Sequence, residues 1–226
     1  MDVMYGIVIT MGKMKNTPVF AIDFEGSAKI GIVEYGVAEI FGGEIVGART
    51  RVCSPKSRIG RRDAEFFGIS DAEAKTQKPF ADDIAEFCRF RARGVFLAHN
   101  AVVEDSFLRA ELPSPGVVPD FARGGQTPDW APWLDTCVLV RSLFPQLGGA
   151  KLSDCVAKFS LGGRLADAAE KFCPPDRRKW HCALYDALAS ALILLRICEF
   201  DGMEDVDIAW LAKYSGVADS GQERLF

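Results

Sequence analysis

The chain has 226 residues, enough for one sizeable core, with 49% hydrophobic and 26% charged residues, which is globular usage and excludes a fibrous or wholly disordered chain. A formal net charge of -4 and a pI near 5.3 give no overall field for nucleic acid, so any such binding must rest on local patches. The seven cysteines are odd in number, spread out and without a C-x-x-C pair, which points to buried reduced thiols of a cytosolic protein rather than to zinc or a disulfide framework.

The leading "MDVMYGIVITMGKMK" has an apolar run but no basic start and no cleavage site, so it is read as an extension over residues 1–16, with Met14 an alternative start. "VFAIDFE", "GIVEYGVAEI" and "EIVGARTRVC" then read as three strands, with "GSAK" and "FGG" between them as hairpin connections. After a polar stretch, Phe80, Ile84 and Phe87 recur at helical spacing in "KPFADDIAEFCRFRA". Its arginines Arg89, Arg91 and Arg93 are read as surface residues near a helix end, where cations suit the dipole.

"GVFLAHN" reads as a buried strand and "AVVEDSFLRAEL" as a helix ended by Pro113. Residues 113–132 hold five prolines and three glycines with little periodicity, which predicts a long loop. "WLDTCVLVRSLF" reads as a strand running into a helix, and "KLSDCVAKF" as a further helix. "HCALYDALASALILLRICEF" carries the longest helical pattern, and "VDIAWLAKY" a last short one. The apolar core of that long helix is too short to span a bilayer, so no membrane partner is expected. The fold class expected is α/β, a mixed sheet of three antiparallel N-terminal strands plus two parallel strands, flanked by helices. The main domain covers residues 17–200, with a C-terminal helix over 201–214 and a flexible tail over 215–226.

Two charged residues interrupt the first strand. Residues i and i+2 of a strand share a face, so Asp23 and Glu25 project together. Paired carboxylates repel in a partly buried setting, and oxygen ligands side by side are what hard divalent cations need; a solvated edge strand is the alternative. The strand ending in His99-Asn100 delivers the first-turn acids Glu104 and Asp105 to the carboxyl end of the sheet, where ligands commonly bind. His181 precedes Asp186 by five residues. Positions five apart differ by about 140° on a helix, so His181 must lie in the loop or first turn and fold back over Asp186.

Taken in order, these segments resemble the DEDDh exonucleases, ribonuclease-H-like enzymes that include the epsilon proofreading subunit of bacterial replicative polymerases. The resemblance covers roughly residues 18–200: D-x-E matches Asp23-Phe24-Glu25, H-x-x-x-x-D matches "HCALYD", and "FFGISDAEAKTQKPF" and "WLDTCVLVRSLFP" match flanking segments. Two departures stand out. Family members often carry threonine after the glutamate or between the two acids, whereas this chain has Gly26 after Glu25, and that glycine allows close backbone approach by substrate. In the second motif, H-N-A-x-x-D-x-x-F-L, alignment on His99-Asn100-Ala101 and Phe107-Leu108 puts Glu104 at the acidic position. On the helical wheel Glu104 falls between Phe107 and Leu108, whereas Asp105 falls beside Ser106 and Arg109 on the polar side; Glu104 is preferred, with Asp105 the alternative.

The resemblance implies two divalent cations, Mg²⁺ or Mn²⁺, and release of nucleoside 5′-monophosphates from the 3′ end of single-stranded or frayed DNA, in proofreading or repair. Asp23 would bridge both cations, with Glu25 and Asp186 on one and Glu104 on the other. His181 would act as general base, which predicts activity rising with pH through the neutral range. Substrate contacts are expected from Asn100, from Arg177 and Arg178 on phosphates, with a solvated loop the alternative, and from Phe24 and Trp180 on terminal bases, with core packing the stronger alternative. An exoribonuclease or oligoribonuclease, and a catalytically silent nucleic-acid or clamp-binding module, are the alternatives. The final "QERLF" resembles the peptide that docks bacterial polymerase-associated proteins on the sliding clamp, with Gln222, Leu225 and Phe226 filling its pockets. The location expected is cytoplasmic.

Overall fold

A computed structural model describes residues 13–216. Three strands open the fold: β1 (Val19–Ser27), β2 (Gly31–Phe41) and β3 (Glu44–Val52). β1 and β2 are antiparallel, as are β2 and β3. The β2–β3 turn is the two-residue link Gly42-Gly43, both at positive φ (65° and 86°), the geometry that matches a hairpin's twist and that glycine adopts without strain.

The chain then forms α1 (Arg61–Phe67) and α2 (Asp71–Ala74), two short helices inside the stretch read as polar connection. α3 (Ile84–Arg93) starts later than the Pro79 signal implied, because Phe80–Asp82 form a 3₁₀ turn first. β4 (Val95–Ala98) and α4 (Ala101–Glu111) follow, then the small hairpin β5 (Val118–Pro119) and β6 (Gln126–Thr127), and then β7 (Trp133–Asp135). Five helices complete the described chain: α5 (Thr136–Leu143), α6 (Leu152–Lys158), α7 (Gly162–Phe172), α8 (Ala183–Cys198) and α9 (Ile208–Tyr214). The sheet order is β3-β2-β1-β4-β7, with β4 parallel to both β1 and β7, so the mixed sheet expected from the sequence is the one formed.

The alternation along β1 divides the core. Val19 and Ala21 join the apolar cluster built on Leu184, Leu188 and Leu192 of α8, whereas Phe20, Ile22 and Phe24 enter an aromatic cluster with Phe80, Phe87 and Phe96. No described helix is long and apolar enough to cross a membrane. All seven cysteines are free, five of them buried.

Three segments depart from their sequence reading. Arg91, read as a surface residue, is fully buried and donates to the carbonyls of Trp130 (2.9 Å), Pro119 (2.8 Å) and Ala131 (2.8 Å). It organises the proline-rich segment 113–132, whose backbone acceptors replace the water a guanidinium would otherwise hold. α7 was missed because its two leading glycines, Gly162 and Gly163, disfavour helix on propensity alone. At the chain's two described ends, Met14 is buried with its N–H on Val206 O (3.0 Å), and Ser215 accepts from Asp135 N (3.0 Å). Residues 13–16 and α9 are thereby packed onto the domain.

Candidate active site

Asp23 and Glu25 lie on the β1 face that looks towards α8. Across the ladder Asp23 pairs with Gly36 and Glu25 with Glu34. A Cβ on Gly36 would fall 2.3 Å from the N and Cα of Leu184, so the bare glycine is what lets the first turn of α8 settle onto the sheet beside Asp23. That turn carries Asp186, which is buried.

The second acidic segment follows β4, which runs parallel to β1 along the edge opposite β2, so it reaches the same carboxyl end of the sheet. Asp135 accepts from the N–H groups of Asn100 (3.1 Å) and Ala101 (2.8 Å), and also caps α5 through Cys137 N (2.8 Å), so one carboxylate fixes where α4 begins. One turn on, the buried Glu104 accepts a hydrogen bond from Phe24 N (3.0 Å). Its neighbour Asp105 points elsewhere, to Arg109 Nε (2.6 Å) and Trp133 Nε1 (3.0 Å).

His181 occupies the turn before α8 with a left-handed backbone (φ 62°), and its N–H lies 3.3 Å from Asp186 Oδ2. Among the described residues, Glu25, His181 and Asp186 each offer a ligand atom within 4.8 Å of the others. Phe66, at the end of α1, lies against the imidazole with ring centroids 4.1 Å apart.

The charges explain what this arrangement needs. Burial raises the Asp23 carboxyl well above the usual range, and Glu104, Asp186, Glu25 and Glu34 all add to that. Burial pushes Glu25 up to about 8, helped by Asp186 and Glu34 and opposed by Arg177. Glu104 rises to about 8 by burial against the Phe24 hydrogen bond, and Asp186 to about 7 by burial against the His181 N–H. Asp186 Oδ1 is buried without a hydrogen-bond partner. Carboxylates that disfavour each other's charge, one with an unsatisfied buried oxygen, are a donor set suited to hard divalent cations.

Several expected contacts go to other partners. Phe24 is buried among Phe80, Phe87 and Phe107 and has no free face for a base. Trp180 packs edge-on against Tyr185 beside the α8 cluster. Arg177 donates from Nε to Glu34 (3.0 Å) and from Nη1 to Phe67 O (3.0 Å), so its fork is committed to the protein rather than to phosphate. Arg178 donates to Glu170 O (3.0 Å) and Cys173 O (3.3 Å). Gly26 answers to a structural demand: a Cβ there would meet Gly31 O at 2.2 Å, next to the register shift that follows Glu25. Asn100 is exposed beside the site with a left-handed backbone (φ 80°). Gln222, Leu225 and Phe226 lie outside the described residues.

Two contributors were missed. Glu34 is 2% exposed and also accepts from Ala183 N (2.9 Å), so it anchors both ends of the His181 turn. Its only signal was an acid at an otherwise apolar position of "GIVEYG", two residues before Gly36, and it becomes legible once the hairpin register sets it opposite Glu25. Phe66 carried no periodic signal in a segment read as connection.

Comparison with known proteins agrees with the architecture. No protein-family model matches the chain. It is 28% identical over 190 residues to the PolC-type DNA polymerase III of Thermotoga maritima, covering 84% of this chain and 12% of that protein. The chain therefore spans only about an eighth of the length of that relative. Among solved structures it is similar to exonuclease X in complex with 5′-overhanging duplex DNA (TM-score 0.57, 22% identity, 88% of this chain and 99% of that one). A 3′-exonuclease solved in recognition of the histone mRNA stem-loop is also similar (TM-score 0.60, 14% identity, 85% of this chain and 68% of that one). The chain has the ribonuclease-H-like fold of these exonucleases.

Proposed function

We propose that the chain is a metal-dependent 3′–5′ exonuclease of the DEDDh type that removes nucleotides from single-stranded or frayed DNA as 5′-monophosphates. The observation that carries this reading is the convergence of Asp23, Glu25, Glu104 and Asp186, from three separate segments, under the His181 turn, with Asp186 Oδ1 left without a protein donor.

In this reading Asp23, Glu25, Glu104 and Asp186 hold two divalent cations, Mg²⁺ or Mn²⁺. When bound, such cations neutralise the clustered charge, acidify water and stabilise the attacking and leaving oxygens of a phosphoryl displacement. The chain's own groups do the rest. His181 stands beside Asp186 and Glu25, so its imidazole is within reach of a water at that position and accepts its proton. The Phe24 N–H keeps Glu104 turned towards β1. Asn100, exposed beside Glu104's helix, is the polar side chain expected to meet the substrate strand. With Arg177 and Arg178 bonded internally, phosphate contact falls to other groups, which implies few neutralised phosphates and a shallow dependence of binding on salt.

DNA is preferred over RNA because the similar sequence belongs to a DNA polymerase; the RNA-recognising 3′-exonuclease neighbour makes RNA the competitor to test. The "QERLF" ending would dock on a bacterial sliding clamp through Gln222, Leu225 and Phe226, and clamp binding undiminished after deletion of residues 222–226 would exclude that role. The deciding assay uses 5′-labelled single-stranded DNA and RNA with Mg²⁺ or Mn²⁺. The wild type is expected to produce a ladder shortening from the 3′ end, fastest on DNA, and Asp23→Ala and Glu104→Gln to abolish it. Equal activity in all three proteins would remove the site.

A further inference from the structure

Among the described residues, no hydrogen bond holds the His181 imidazole in place. The backbone there is tied down, by the N–H to Asp186 at one side and by Ala183 N on Glu34 at the other. The imidazole itself is exposed, and a left-handed residue in a turn leaves its ring several rotamers. The group that touches the ring is Phe66. The two rings lie 4.1 Å apart between centroids and 37° from parallel, while Phe66 is otherwise 54% exposed and outside every apolar cluster.

Its position is held from beneath. Phe66 packs edge-on against Phe67, which is buried with Ile59 and Ile69. Arg177, four residues before His181, donates to the carbonyls of Phe67 (3.0 Å) and Gly68 (3.3 Å) while its other nitrogens hold Glu34. The end of α1 and the His181 turn are thus two arms of one bracket, joined at the base by Arg177 and at the tip by the ring contact.

We infer that Phe66 is a positioning residue for His181, its ring forming the wall that keeps the imidazole turned towards Glu25 and Asp186. The consequence for hydrolysis rests on the exonuclease reading; the ring placement does not. With the wall removed, the imidazole spends less time facing the site, which lowers the rate of the chemical step and leaves substrate binding alone.

Two readouts separate these levels. The chain has two histidines, so its imidazole C–H signals in a proton NMR spectrum reduce to two sets, assigned with His181→Gln. At one fixed pH, Phe66→Ala is expected to move the His181 set downfield by removing the ring current, while His99, held by Thr136 Oγ1 (2.8 Å) and Ala150 O (2.6 Å), stays where it is. In the nuclease assay Phe66→Ala is expected to lower kcat about 10- to 100-fold with KM within about twofold, and Phe66→Tyr to restore kcat. In a His181→Ala background Phe66→Ala is expected to have no further effect. Unmoved His181 signals, or a loss of the same size with and without His181, would overturn the inference. A wild-type chain without hydrolysis would remove the exonuclease reading instead, and the NMR comparison would decide the ring placement by itself.

Discussion

Glu104 accepts a hydrogen bond at 3.0 Å from the backbone N–H of Phe24, the residue standing between Asp23 and Glu25. One bond thereby sets α4 against β1 and brings the second acidic segment to the first. Asp105, one residue on, is turned by about 100° to Arg109 and Trp133. Glu104→Gln is therefore expected to keep the acceptor and the fold but lose metal binding and hydrolysis. Asp105→Asn is expected to retain both, with a stability change within about 1 kcal/mol because its ion pair is partly solvated. Nuclease assays and thermal melts on the two variants check this, and loss of activity in Asp105→Asn alone would reverse the assignment.

The acids of the site also set how stability responds to pH. Glu25 and Glu104 sit near 8, Asp186 near 7 and Asp23 well above its ordinary range, all chiefly through burial. The folded chain then binds more protons than the unfolded chain from about pH 4 to about pH 8, so metal-free stability falls as pH rises through that window. Divalent cations oppose the trend, since they bind the ionised form. At about 100 times its Kd, a single bound ion adds about 2.7 kcal/mol, or about 5–10 °C for a chain of this size. Melting curves in EDTA and in Mn²⁺ at pH 5.5 and pH 8 should show the larger metal-induced rise at pH 8. A rise equal at both pH values would contradict the assignment.

Asp23 is the hub of the repulsion, with Glu104, Asp186, Glu25 and Glu34 all acting on it. Asp23→Asn should therefore separate stability from function. The metal-free protein is expected to melt at or above the wild-type temperature at pH 8, while hydrolysis falls by about a hundred- to a thousandfold, the scale on which removal of a principal electrostatic group acts. A destabilised and still active variant would count against both halves.

Glu34 and Arg177 make the opposite case, a buried pair whose members satisfy one another and the backbone around them. Breaking such a pair from one side costs about 3–5 kcal/mol, so Arg177→Met is expected to lower the melting temperature by about 10 °C. Glu34→Gln together with Arg177→Met should recover part of that loss. If Arg177→Met instead melts like the wild type and binds DNA more weakly, Arg177 is a phosphate ligand after all.

Much of this was legible in the residues. The three-strand opening, the strand–helix alternation after it and the long apolar helix follow from periodicity, and the five-residue spacing of His181 and Asp186 already forced His181 off the helix. What periodicity could not convey was cross-strand register. Glu34 faces Glu25, and Gly36 faces Asp23, only because of how β1 and β2 pair. Arg177 was over-read for the same reason, since it meets a buried partner 143 residues away in the chain. The alternation that pairs Asp23 with Glu25, by contrast, already put Phe24 on the opposite face of β1. Arg91 shows the limit of composition most plainly: three carbonyls from a proline-rich loop replace its hydration, and nothing local in "RFRAR" announces that.

The central claim, that these carboxylates share cations, is tested most directly by calorimetric titration of Mn²⁺ into wild type and Asp23→Asn at pH 7 in two buffers of different ionisation enthalpy. The account predicts saturable binding to the wild type with release of protons, because carboxyls raised to about 7 and 8 must ionise to become ligands, and loss of that binding in Asp23→Asn. Equal Mn²⁺ binding by both proteins, or binding without proton release, would contradict it.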